Sequence, residues 1–168
     1  MRRARPDDWA IVRDLRLAAL ADAPDAFATT LATETGRLEA EWRTRLGDLP
    51  WFLGFQDGQP AGLIAALSPR PGPDQDQAWH LVSMWVSPDA RGSGLADRLV
   101  GAVTGHARRA GAAQVTLWVA VGNERARAFY RRMGFMPTGR RQVYPRPGAA
   151  GLDEEEFVCP LSDPQRGP

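Results

Sequence analysis

Apolar residues recur three and four positions apart across residues 6–22, where Ile11, Leu15 and Ala18/Ala19 fall on one face. That spacing predicts a helix, with Asp7 or Asp8 placed to cap it. Residues 23–27 break the pattern. Leu38, Trp42 and Leu46 then step by four and predict a second helix from about residue 33 to 46. Beyond residue 49 the period shortens. Residues 50–69 read as two strands joined around Asp57-Gly58, a strong hairpin dipeptide. A polar, proline-rich loop is expected at 70–77, followed by a strand over 78–88 that Pro88 stops. From about 93 to 110, Leu95, Leu99, Val103 and Ala107 align on a helix that Gly111 ends. Residues 113–121 read as a strand of buried character, and 123–134 as a short helix ending at Gly134. A final strand pair is expected over 135–145 and 154–161, around a Pro/Gly-rich loop at 145–151, with a frayed tail after Leu161.

The order of these elements is two helices, a hairpin, strand–helix–strand–helix, then two strands. Such alternation predicts an α/β (α+β) fold: a mixed sheet with helices on both faces. At 168 residues the chain reads as one domain with a single substantial core. Glycine (17) and proline (14) are enriched, which fits many tight turns in a folded chain.

Charge and cysteine content narrow the chemistry. The net charge of +1 gives no reason to expect nucleic acid as a partner, and no apolar run is long enough to cross a membrane. All 21 basic residues are arginine, so Schiff-base chemistry on lysine is excluded. A single cysteine, Cys159, is expected to be buried and inert. His80, His106 and Cys159 are too scattered for a structural metal site, so no metal is expected. Without an export leader at the start, a cytoplasmic enzyme is the default expectation.

The most informative stretch is SPDARGSGLADRLV, residues 87–100, in which two glycines open a helix. Glycines at a strand-to-helix turn expose several backbone N–H groups in one direction, and the helix dipole adds partial positive charge. That arrangement suits a phosphate, with Arg91 able to add a charge-assisted contact. A Walker loop fails for want of a lysine, and a dinucleotide fingerprint fails because Asp97 stands where its third glycine belongs. A plain turn remains the competing reading of the glycines alone.

Two blocks taken together are more specific. Arg91-Gly92-Ser93-Gly94-Leu95-Ala96 follows Val86-Ser87-Pro88, and Asn123, Ala126, Tyr130, Gly134 and Phe135 come after a helix and a strand. In both blocks, and in their separation, the chain resembles the GCN5-related N-acetyltransferase (GNAT) family, whose members transfer acetyl groups from acetyl-CoA to amines. Residues 1–75 match that fold only in pattern.

The resemblance implies a mainly antiparallel twisted sheet and a set of site residues. The amides of Arg91, Gly92, Ser93, Gly94, Leu95 and Ala96 would hold the pyrophosphate of coenzyme A. The pantetheine arm would lie along a bulged strand at Met84, Trp85 and Val86, with a free N–H facing the thioester. Tyr130 would protonate the departing thiolate, and Asn123 and Ala126 would line the cofactor. His80 stands near where many members carry a glutamate base, although Glu154–Glu156, the "DEEEF" stretch from Asp153 and water chains are alternatives. Arg125, Arg127, Arg131 and Arg132 could meet the cofactor's 3′-phosphate, though a solvated basic face explains most of them. Trp42, Trp79 and Trp85 could wall an acceptor pocket or pack the core. The expected acceptor is a primary amine of a small molecule. A protein or peptide acceptor and a non-catalytic acyl-CoA-binding module stand as rivals, and sheet edges near the C-terminus could pair two copies into a homodimer. The fold's first strand has only about four residues before the first helix.

Overall fold

The structure is a computed structural model that describes residues 1–69, 78–143 and 153–161. The loops expected at 70–77 and 145–151 and the tail beyond Leu161 lie outside the described residues. Among the described residues, seven strands form one sheet: β1 (Arg2–Arg3), β2 (Trp51–Gln56), β3 (Gln59–Leu67), β4 (Ala78–Val86), β5 (Gln114–Ala120), β6 (Met136–Val143) and β7 (Asp153–Pro160). Their order is β1-β2-β3-β4-β5-β7-β6, with a parallel β4–β5 pair and antiparallel β1–β2, β2–β3, β5–β7 and β6–β7 pairs. Five helices accompany them: α1 (Trp9–Asp22), α2 (Leu31–Thr35), α3 (Glu39–Asp48), α4 (Leu95–Arg109) and α5 (Glu124–Arg132). The chain divides into two compact units, Met1–Leu67 with Val82–Val103, and Ser68–Leu81 with Thr104–Pro168.

In the first unit, β1 is two residues long, and the Arg2 guanidinium forks onto Asp8 at 2.6 Å through both terminal nitrogens. Asp8 also accepts the Arg5 backbone N–H at 2.8 Å, so its carboxylate caps the short turn before α1 rather than α1 itself. The buried face of α1 is Val12, Leu15, Arg16, Ala19 and Leu20. Ile11 is half-buried and Ala18 exposed, so the packed face is rotated from the expected one.

The single helix expected over 33–46 is two helices. Thr30 caps α2 by accepting the Thr33 N–H at 3.2 Å, and the chain restarts at Leu38, whose N–H donates to Glu41 at 2.8 Å. Such capping bonds satisfy donors at a new helix start. Leu38, expected on the apolar face, is therefore a cap position, 70% exposed, while Trp42 and Leu46 are buried. Trp42 is thus core, not pocket wall.

The hairpin forms as expected, with Asp57 and Gly58 both at positive φ, as a two-residue turn that follows strand twist requires. Strand alternation gives its two faces different partners. Trp51, Leu53, Leu63 and Ala65 join the cluster of α1 and α3. On the other face a Cβ at Gly54 would lie 2.8 Å from Leu95 and one at Gly62 3.1 Å from Leu99, so these glycines let α4 settle close against the sheet. Leu95, Leu99 and Val103 are buried there.

In the second unit, β5 does not read as a fully buried strand. Val115, Leu117 and Val119 are buried, while Thr116, Trp118 and Ala120 are only half-covered. Its neighbour β7 aligns Leu117 with Phe157 and Val119 with Glu155, one apolar face carrying one carboxylate. That carboxylate meets the Arg127 guanidinium from α5 at 2.6 Å, and Arg127 also lies over the Phe157 ring. Strand β6 is an edge, with Pro137 and a register shift before Arg141, features that blunt an edge against pairing.

Candidate active site

The strand β4 carries one left-handed residue that is not glycine, Ser83 at φ +57. A serine there costs on the order of 1–3 kcal/mol and persists only where its surroundings hold it. It re-aims the strand immediately before Met84–Val86, the segment expected to be bulged. Ser87 N–H donates to the Ala61 carbonyl at 2.9 Å, which fixes that edge of the strand against β3. By strand alternation Val86 turns its N–H and C=O to the opposite edge.

Pro88–Ala90 form one turn of 3-10 helix, and the chain then passes through Gly92 at φ +85 and Gly94 at φ +75 into α4. A Cβ at Gly92 would meet no atom within 4 Å, so the ground in front of the loop is open. Not every amide faces it. Arg91 N–H donates to the Pro88 carbonyl at 3.2 Å and Ser93 N–H to the Ala90 carbonyl at 3.4 Å. The Ser93 hydroxyl also donates to Ala90, at 2.7 Å. The loop's own turn thus takes up Arg91 and Ser93. The amides of Leu95 and Ala96 come ahead of the Arg98 N–H, which donates to the Gly94 carbonyl at 3.2 Å. Leu95 can offer only its backbone, since its side chain is buried.

Arg91 is engaged elsewhere as well. Its Nε donates to the Val86 carbonyl at 3.2 Å and its Nη2 pairs with Asp22, which also accepts the Trp85 indole N–H at 2.9 Å. Trp85 is correspondingly buried against α1 rather than lining an open pocket. The cation that does stand beside the loop is Arg98, unmarked in the sequence reading. Its Nη1 donates to the Ser93 carbonyl at 3.2 Å and would lie 3.6 Å from a Cβ at Gly94. Its position four residues after Gly94, one turn up the helix, was the available signal.

In the second unit, Asn123 caps α5, accepting the Ala126 N–H at 3.0 Å. Tyr130 is buried, its ring edge-on to Phe129 at 5.1 Å and Phe135 at 5.7 Å. Burial pushes its phenol well above the usual tyrosine value, so it stays protonated and able to donate. His80 sits where β4 pairs with β5, Nδ1 being 3.0 Å from Thr116 Oγ1, and burial lowers its pKa. Neighbouring Trp79 turns the other way, edge-on to His106 at 4.9 Å.

The three consecutive glutamates of β7 are each largely buried and each tied down. Glu154 accepts from Gln142 at 3.0 Å, Glu155 pairs with Arg127, and Glu156 accepts from Thr138 at 3.0 Å and pairs with Arg140 at 3.4 Å. Desolvation raises Glu154. Arg127 is thereby committed to the sheet rather than to a solvated basic face, and Arg131 and Arg132 lie over Phe157 and Phe129. Cys159 is half-buried, and burial raises its thiol despite Arg108. Among the described residues, no three His, Cys, Asp or Glu side chains gather as a metal ion would need, and no helix is long and apolar enough to cross a membrane.

A left-handed serine, two left-handed glycines and a helix start thus follow one another from β4 into α4. The chain belongs to the acetyltransferase (GNAT) family, which it matches over residues 14–135. It is 31% identical over 115 residues to the peptidyl-lysine N-acetyltransferase YjaB of Escherichia coli, covering 63% of this chain and 68% of that one. Among solved structures, a GNAT-family acetyltransferase from Streptococcus pneumoniae superposes with a TM-score of 0.80 at 18% identity, over 96% of this chain and 98% of the other. The yncA acetyltransferase of Salmonella typhimurium, solved with its cofactor acetyl-CoA, gives 0.74 at 20% identity, over 99% and 95%. Two other curated relatives are longer; the chain spans 42% and 51% of their length.

Proposed function

We propose that the protein is an N-acetyltransferase that carries an acetyl group from acetyl-CoA directly to a primary amine of a small molecule. The observation that carries this reading is the run from Ser83 to Leu95, in which one left-handed strand residue leads to two left-handed glycines and an open helix N-terminus. Family membership and the acetyl-CoA held by the yncA structure support the choice of cofactor.

The open space before Gly92 and the helix start that follows it at Leu95 suit a pyrophosphate. When bound, acetyl-CoA supplies an activated acetyl group whose leaving group is a thiolate. The backbone amides of Gly92, Gly94, Leu95 and Ala96 would hold the phosphates, and Arg98 would add charge beside them. The edge of Met84–Val86 turned away from β3, on which the Val86 carbonyl already accepts Arg91, would pair with the amides of the pantetheine arm, and one of its N–H groups would polarise the thioester carbonyl. His80, kept neutral by burial, would take a proton from the amine. Tyr130 would give its proton to sulfur.

Calorimetry with acetyl-CoA followed by thiol release over a panel of small amines tests the proposal. Release that saturates with one small amine supports it; a folded protein that does not bind acetyl-CoA ends it. The likeness to YjaB favours a second acceptor, a lysine side chain of a protein, so the panel includes a lysine peptide.

A further inference from the structure

Asp22 closes α1, and no sequence motif includes it. Two donors from distant parts of the chain converge on its Oδ2: Trp85 Nε1 at 2.9 Å and the Arg91 guanidinium. Arg91 also donates Nε to the Val86 carbonyl at 3.2 Å. Because Trp85 and Val86 are consecutive, these contacts close a ring: Asp22 to Trp85, across one peptide to Val86, from its carbonyl to Arg91, and back to Asp22. All of it lies within one compact unit.

We propose that Asp22 is a positioning residue for the phosphate-binding loop, its carboxylate holding Arg91 across the exit of β4 so that the loop beginning at Gly92 presents its amides in one direction. The inference rests on the acetyl-CoA reading above. Glycines at 92 and 94 leave the loop backbone with many accessible conformations, which something must restrict before a phosphate can be met by aligned amides. A planar guanidinium held through Nε and Nη2 by acceptors on two different elements supplies that restriction. The Trp85 bond, with help from Arg91, holds Asp22 below the usual carboxylate range, so the charge is present throughout the neutral pH range. Arg91 already has a carboxylate partner, which leaves recognition of the phosphates to the amides and Arg98.

Calorimetry and steady-state kinetics on Asp22→Ala and Asp22→Asn test this. Asp22→Ala is expected to raise both Kd and KM for acetyl-CoA about ten-fold, with kcat and the KM for the amine within about two-fold. Asp22→Asn keeps an oxygen for Trp85 without the charge and is expected to show a smaller rise. Adding Arg91→Gln to Asp22→Ala should cost little more, as expected when two residues act through one contact. Unchanged or tighter acetyl-CoA binding in a variant that melts like the wild type overturns the proposal, as does a loss spread equally over kcat and both KM values. If Asp22→Ala does not fold, Asp22→Asn decides by the same readings. Failure of the wild type itself to bind acetyl-CoA is a separate result, which removes the functional reading and this inference with it.

Discussion

Nδ1 of His80 lies 3.0 Å from Oγ1 of Thr116, the residue paired with it in the three-residue ladder between β4 and β5. The hydroxyl orients the ring, and burial disfavours its charged form. These two features are what the proposed role of His80 as a base rests on.

A pH dependence follows from that burial. Above about pH 6.5 the ring is neutral in folded and unfolded chains alike. Below it the unfolded chain takes up a proton that the folded chain resists, so stability falls as pH drops through that region. Thermal midpoints measured from about pH 8 to 5 should fall more steeply for the wild type than for His80→Asn. In the same range the acid limb of kcat/KM should sit below about pH 6.5 and disappear in His80→Ala. An unchanged limb would remove the histidine from the chemistry.

Tyr130→Phe separates chemistry from packing. The ring-edge contacts to Phe129 and Phe135 survive the change, so stability should move by less than about 1 kcal/mol. Turnover should fall roughly 10²-fold at little change in KM for acetyl-CoA. Because the phenol is pushed above its ordinary value, no alkaline loss below about pH 10 should trace to it.

Gly94 stands at φ +75, and a Cβ there would come near only the end of the Arg98 side chain, at 3.6 Å. Gly94→Gln should therefore fold, with a cost of about 1–2 kcal/mol from the left-handed backbone. Its Kd for acetyl-CoA should rise at least about ten-fold by calorimetry, because the side chain crowds the phosphate position. Equal affinity in a folded variant would place the phosphates elsewhere.

Glu34 is 1% exposed and lies between Arg37 Nε at 3.0 Å and Arg45 Nη1 at 2.8 Å. Removing it takes from Arg45 the carboxylate at 2.8 Å and leaves Arg37 with Glu41 at 3.4 Å. Glu34→Ala should cost about 2–3 kcal/mol in urea unfolding, less than for a fully buried pair because both arginines keep some access to water. A change within about 0.5 kcal/mol would show the pair to be no more than a surface contact.

The hairpin, α4 and α5 were legible because local chemistry dictates them: Asp57-Gly58 for the turn, four buried positions in line on α4, Asn123 as the cap of α5. The break between α2 and α3 was not. It depends on the Glu41 carboxylate reaching back to the Leu38 N–H, and that bond competes silently with an apolar spacing that runs straight through it. The glycine loop could be located from its motif, but not which of its amides stay free, since the turn from Pro88 takes up two of them. Asp22 was invisible because its partners are 63 and 69 residues away. Only the folded chain brings a carboxylate, an indole and a guanidinium to one oxygen.

On the proposed function, Ser83 sets robustness against activity. Replacing it with glycine would release the torsional cost of its left-handed backbone, about 1 kcal/mol of easy thermal hardening. The same exchange would free the backbone immediately before Met84–Val86, the segment proposed to aim the thioester. On that proposal, glycine variants selected only for survival on heating would turn over acetyl-CoA less well.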